Sequence, residues 1–188
     1  MASGMPRNFV NYTLSQREID DFIAAATDGN KAVVAGFIKK YPDAVDERDH
    51  YNRTALMWAG RYGRWDIVEL LLENGADMGA KDYAGWTTLI HAAACGNEIT
   101  VEFLLEKGAL IDGEDTAGKT ALTYARERCK ADMVALLEQW PDTKKRRLLA
   151  EQKARELRET DFSHGLKKSI PRPRPFKLPQ PKQRGTKP

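Results

Sequence analysis

The chain is poor in the residues from which most catalytic and metal sites are built. Cysteine occurs only at Cys95 and Cys129, and histidine only at His50, His91 and His164. Two thiols outside any CxxC pair cannot make a disulfide framework and point to a reducing, intracellular setting. The histidines stand in unrelated surroundings, without metal-ligand spacing and without a nucleophile beside a base. Catalytic, metal and cofactor residues are therefore expected to number none. Long apolar runs are missing as well. The first residues, MASGMPRNFVNYTLSQ, hold no stretch suited to a signal peptide, and no segment reaches membrane-spanning length. A cytoplasmic location is the expectation, with nuclear or secreted-effector destinations as the alternatives.

Acid is missing from the end of the chain. Residues 1–141 carry 15 Lys/Arg against 22 Asp/Glu, whereas residues 142–188 carry 15 against 5, so a net charge of +3 conceals an acidic body and a basic tail. Residues 142–162 read as a C-terminal helix, rich in helix formers and thin in apolar side chains. Within it, Lys144–Arg147 reads as a solvated helix start, with a nuclear-import or phosphate-contacting cluster as the alternative. Residues 163–188 hold eight Lys/Arg, no acid and six of the nine prolines, the composition of a disordered, extended tail. No two of those prolines are three apart, which disfavours a PxxP ligand.

What is present in abundance is repetition. A shift of 33 residues superposes Asp49, Asp82 and Asp115, and with them Thr54/Thr87/Thr120, Leu56/Leu89/Leu122, Ala59/Ala92/Ala125, Val68/Val101/Val134 and Leu71/Leu104/Leu137. An earlier copy aligns at a shift of 34, placing Phe22, Ala25 and Gly29 on Leu56, Ala59 and Gly63. Apolar residues at 67, 68, 71 and 72 make one helical face, small alanines let helices approach, and Gly75 and Gly108 suit left-handed helix ends. Each copy reads as a helix–turn–helix that buries its face only against its neighbours. The copies span 15–48, 49–81, 82–114 and 115–141, after an N-terminal extension, 1–14.

The strings DHYNRTALMWAGRYGRWDIVELLLENGAD and DYAGWTTLIHAAACGNEITVEFLLEKGAL resemble the ankyrin repeat family over residues 15–141. The resemblance implies an all-α ankyrin-repeat solenoid. Asn52 departs from the family's turn glycine, Ala55, Thr88 and Ala121 from its proline, and Met57, Ile90 and Thr123 from the histidine that normally hydrogen-bonds the turn. Asp20 and Asp21 at one end, and Glu138 and Pro141 at the other, suit solvated caps of an array.

The string Gly113–Thr120 satisfies the phosphate-loop pattern G-x-x-x-x-G-K-[ST]. The repeat register already accounts for Asp115, Gly118 and Thr120, no buried strand precedes it, and Glu114 and Asp115 would place negative charge in the cradle. It is read as a repeat turn. Trp58 and Trp65 are assigned to packing, and His91, whose column holds Trp58 and Tyr124, to a packed or stacked position.

The family resemblance implies a contact surface formed by loop tips and first-helix faces. Carried over by column, it comprises His50, Tyr51, Arg53, Arg61 and Tyr62, then Tyr83, Trp86 and Cys95, then Thr116, Lys119, Glu127 and Arg128. Four of these are Tyr or Trp and three are Arg, the types that dominate binding hot spots. The expected function is non-enzymatic protein binding. The alternatives are an adaptor in a nucleic-acid assembly anchored by the basic tail, which could also meet an acidic partner, or a bacterial effector acting on host proteins.

Overall fold

A computed structural model describes residues 14–128, 130–141 and 152. The expectations for the N-terminal extension, for Cys129, for the helix over 142–162 and for the tail over 163–188 lie outside these residues, apart from Leu14 and Gln152. The chain divides into Met1–Glu138 and Gln139–Pro188, and the repeat array up to Glu138 lies in the first unit.

The elements are α1 (Gln16–Asp28), α2 (Lys31–Lys40), α3 (Ala55–Arg61), α4 (Trp65–Glu73), α5 (Thr88–Cys95), α6 (Glu98–Glu106) and α7 (Ala121–Glu127), with residues 131–141 also helical. A short 3-10 turn, Pro42–Ala44, takes up the additional residue after α2. Among the described residues there is no β-strand beyond an isolated bridge between Arg48 and Thr54.

The repeated letters explain the boundaries. Thr54, Thr87 and Thr120 each stand in extended backbone and accept, through the hydroxyl, the N–H three residues on. This caps one orphan donor of each first helix. Ser15 does the same for α1 in a reciprocal pair with Glu18. Asn52, Gly85 and Gly118 share one turn column and have φ of 63°, 81° and 71°. The column demands left-handed backbone, and asparagine is the side chain that best tolerates it in place of glycine.

First helices α1, α3, α5 and α7 pack in series, while α2, α4 and α6 line their outer side. Leu56, Ala59, Val68 and Leu71 are fully buried, as are Ala92, Val101 and Leu104 in the next copy. In the first copy the core is aromatic, with Phe22 stacked on Phe37 at 4.0 Å. The spacing of neighbouring first helices is tight. A Cβ on Gly60 would lie 2.7 Å from Thr88 Cγ2. Polar links run between copies too. Arg64 Nε donates to Thr27 O at 3.1 Å, and Asn97 Nδ2, one repeat on, donates to Gly60 O and Arg61 O at 2.9 and 2.7 Å. The bonds to Thr27 O and Arg61 O satisfy carbonyls that a helix C-terminus leaves open, while Gly60 O also accepts the Gly63 N–H.

Candidate functional site

The loop tips are built around the aspartate column. Asp49 Oδ1 accepts the N–H groups of Tyr51 and Arg53, Asp82 Oδ1 those of Ala84 and Trp86, and Asp115 Oδ1 those of Ala117 and Lys119, all at 2.8–2.9 Å. The second oxygen accepts from the residue nine positions on: Trp58 Nε1 at 2.9 Å, His91 Nε2 at 3.0 Å and the Tyr124 hydroxyl at 2.6 Å. The turn-bonding role that the family gives to the column of Met57, Ile90 and Thr123 is thus filled one column later. A side chain of the inner helix face ties each loop tip to the helix that follows it.

Neighbouring tips also bond to each other. Tyr83 N–H donates to Tyr51 O at 3.4 Å, and Thr116 donates through both its N–H and its hydroxyl to Ala84 O, at 3.1 and 2.9 Å. Arg53 Nε reaches Asp82 Oδ2 of the next tip at 3.4 Å. Asp82 thereby joins two repeats while nearly sealed from water.

Burial is the largest influence on His91 and lowers its pKa to about 4. Asp82 opposes that shift, and the positive charges of Arg53 and Arg61 add to it. His91 is consequently neutral at pH 7, and donation from Nε2 to Asp82 leaves Nδ1 as a buried nitrogen without a partner. Asp115 behaves differently. Burial works against its ionisation, but hydrogen bonds from the Tyr124 hydroxyl and the Lys119 and Ala117 amides outweigh it and hold the pKa down.

An aromatic belt crosses the turn side of three repeats. Trp58 faces Tyr62 at 6.0 Å, and Arg53 lies 4.8 Å from the Tyr51 ring and 5.1 Å from Trp58. Trp86 meets His91 at 5.0 Å and Tyr124 at 4.4 Å. Arg61 lies 5.8 Å from the Trp58 ring and Arg128 6.0 Å from the Trp86 ring.

Of the twelve residues named from the sequence, His50, Tyr51, Tyr62, Tyr83, Thr116, Glu127 and Arg128 are exposed. Arg53, Arg61, Trp86, Cys95 and Lys119 are half-buried. His50 and Tyr51 lie ring against ring at 4.0 Å, and Lys119 pairs with Glu127 at 2.7 Å. No hydrogen bond or ring contact among the described residues joins Cys95 to the others. Sequence reasoning read His91 as packed or stacked, as it is, but it did not count the column of Trp58, His91 and Tyr124 among the residues that connect the others. Trp58 is a half-exposed part of this surface rather than core, because its indole N–H must reach Asp49. The available signal was a residue with a side-chain N–H or O–H nine positions after each aspartate.

The phosphate-loop string is the fourth loop tip. The amides of Ala117 and Lys119 point at the Asp115 carboxylate, and Lys119 Nζ at Glu127. The protein's own carboxylate stands where a phosphate would have to be held.

Stacked helical hairpins with aspartate-tied tips define a repeat solenoid. A family model of ankyrin repeats (3 copies) matches residues 7–82 and 77–146, and the chain belongs to the ankyrin repeat family. Among curated proteins it is similar to the human NAD-capped RNA hydrolase NUDT12, with 35% identity over 68 residues, 36% of this chain and 15% of that protein. The protein of the same name from Macaca fascicularis is 36% identical over 62 residues, 33% of this chain and 13% of its own length. The chain therefore spans about 15% of the length of the curated relatives it matches. Ankyrin repeats are generally protein-interaction modules and generally non-enzymatic. Among the described residues no helix is long and apolar enough to cross a membrane, and no group of His, Cys, Asp and Glu could hold a metal.

Proposed function

We propose that the chain is a non-enzymatic scaffold that binds a protein partner through its loop tips and inner helix faces. The observation that carries this reading is the aromatic and arginine belt over three repeats, which keeps exposed rings at its surface although His91 is sealed beneath it. Tyr51, Tyr62 and Tyr83 are 51%, 49% and 74% exposed. Tyr51 lies against Arg53 and Tyr62 faces Trp58, and exposed rings of this size offer contact area at low entropic cost. The family's general role in protein interaction supports the same reading.

Site-specific photo-crosslinking in source cells tests it. A crosslinking side chain at Tyr62 or Tyr83 should capture a discrete protein, whereas one at Glu98 on the outer helices should not. Capture from Glu98 alone would move the binding surface to the other side of the array.

A further inference from the structure

In the second and third repeats the two sides of the array differ in charge. Helices α4 and α6 carry three acids each and no Lys or Arg, while α3 and α5 carry no acid; the first repeat does not follow them, since α2 carries three lysines and no acid. On the turn side, Asp49, Asp82 and Asp115 have both carboxylate oxygens occupied by internal donors. Arg53 is matched by Asp82 and Lys119 by Glu127. Arg61 and Arg128 are left over: neither forms an ion pair among the described residues, and each lies over an indole. A guanidinium held against a ring is pre-oriented, and its N–H edge can still take a carboxylate in a fork.

Building on the contact-surface reading above, we propose that this side takes an extended acidic segment of a protein partner. Its carboxylates engage Arg61 in the second repeat and Arg128 in the fourth, and its apolar or aromatic side chains lie on the rings between them. Two separated cations suit carboxylates spaced along a peptide. A nucleic acid presents a charge at every nucleotide and would also meet the surplus of seven acids over residues 1–141.

Selection of a displayed random-peptide library on the full-length protein tests the inference. Peptides enriched in Asp and Glu are expected, binding about tenfold more weakly to Arg61→Ala and Arg128→Ala, with partial recovery in Arg61→Lys and Arg128→Lys. The basic segment 142–188 is present in every variant. Acidic peptides that bind wild type and both alanine variants equally would therefore be held by that segment, and the inference would fall. An empty selection, or one yielding neutral or basic peptides, would also overturn it. If such peptides still lost affinity on Tyr51→Ala or Trp86→Ala, the contact surface would stand without its acidic ligand; if they did not, both readings would fall. A parallel arm uses fluorescein-labelled single-stranded RNA. RNA binding weakened by the same arginine substitutions, with no acidic peptide enriched, would assign the surface to nucleic acid instead.

Discussion

The third and fourth loop tips use the same carboxylate for the same pair of amides, yet they depend on different physics. Asp82 has a side chain only 3% exposed, and it accepts from a neutral histidine and from an arginine supplied by the repeat before. Asp115 is half-exposed and takes a tyrosine hydroxyl. The third tip relies on burial and on a charged partner from the repeat before, whereas the fourth is tied to the repeat before through neutral groups, the Trp86 ring against Tyr124 and Thr116 on Ala84 O. One sequence column can hold a constant function while the chemistry that performs it changes with position in the array.

The largest expected difference is in the core. Leu104 in the third repeat is fully buried, and Leu137, its equivalent in the fourth, is nearly so. Leu104→Ala should lower the stability of the array by about 2–5 kcal/mol in one cooperative transition, because neighbouring repeats hold each other. Leu137→Ala should fall at the low end of that range if the fourth repeat is held mainly by the third. Denaturant melts of the two variants decide the matter. Equal losses would mean the fourth repeat is as interlocked as the third.

Acid should separate the two tips next. The folded-state pKa of His91, about 4, lies below its unfolded value of 6.5. Protons then bind the unfolded chain more readily, so the stability is fully present above pH 6.5 and is lost as pH falls toward 4. The loss from this residue should reach up to about 3 kcal/mol. Tyr124 does not titrate in that window. Melting temperature followed from pH 7 to pH 4.5 should slope downward in the wild type and flatten in His91→Gln, whose amide can still donate to Asp82. An unchanged slope in that variant would place the acid sensitivity elsewhere.

Gly85 and Gly118 test the same contrast at the backbone. Both have left-handed φ, 81° and 71°, but a Cβ on Gly85 would lie 2.6 Å from Thr116 N, while one on Gly118 would meet nothing within 4 Å. Gly118→Ala should cost about 1–2 kcal/mol from conformation alone, and Gly85→Ala clearly more, since the next tip must move. Gly118→Asn should be milder than Gly118→Ala, as the native Asn52 in this column implies. If the two alanine variants are equally stable, the tips are not in close contact.

The fold was legible because a solenoid writes each contact into the sequence once per repeat. Thr54, Thr87 and Thr120 cap helices, and Ala59, Ala92 and Ala125 sit at close approaches, so identical needs gave identical letters. The candidate surface was only half legible, and the reason is chemical. Trp58, His91 and Tyr124 are all planar rings, so their column reads as packing. What they also share is a donor at one reach from the helix, supplied by a different group each time and so not written as a repeated letter. Likewise Lys119 and Glu127 read separately as contact residues, because eight positions along the chain conceal a pairing made across a turn and a helix.

That pair should give the smallest effect. Lys119 and Glu127 side chains are 39% and 47% exposed, so water and salt screen their attraction. Both must also give up rotamer freedom to meet. The hydrogen bond to Glu127 raises the Lys119 pKa, but with so much solvent around it this is no measure of stability. A double-mutant cycle on Lys119→Ala and Glu127→Ala should find a weak coupling, within the range usual for exposed ion pairs, that shrinks with added salt. The same columns hold Arg53 and Arg61 in the second repeat, two cations in place of an ion pair. Tolerance of that exchange is intelligible only if the pair matters little for folding. A salt-independent coupling well above this range would mean that the fourth tip, like the third, depends on fixed charge, and the contrast between them would narrow to burial alone.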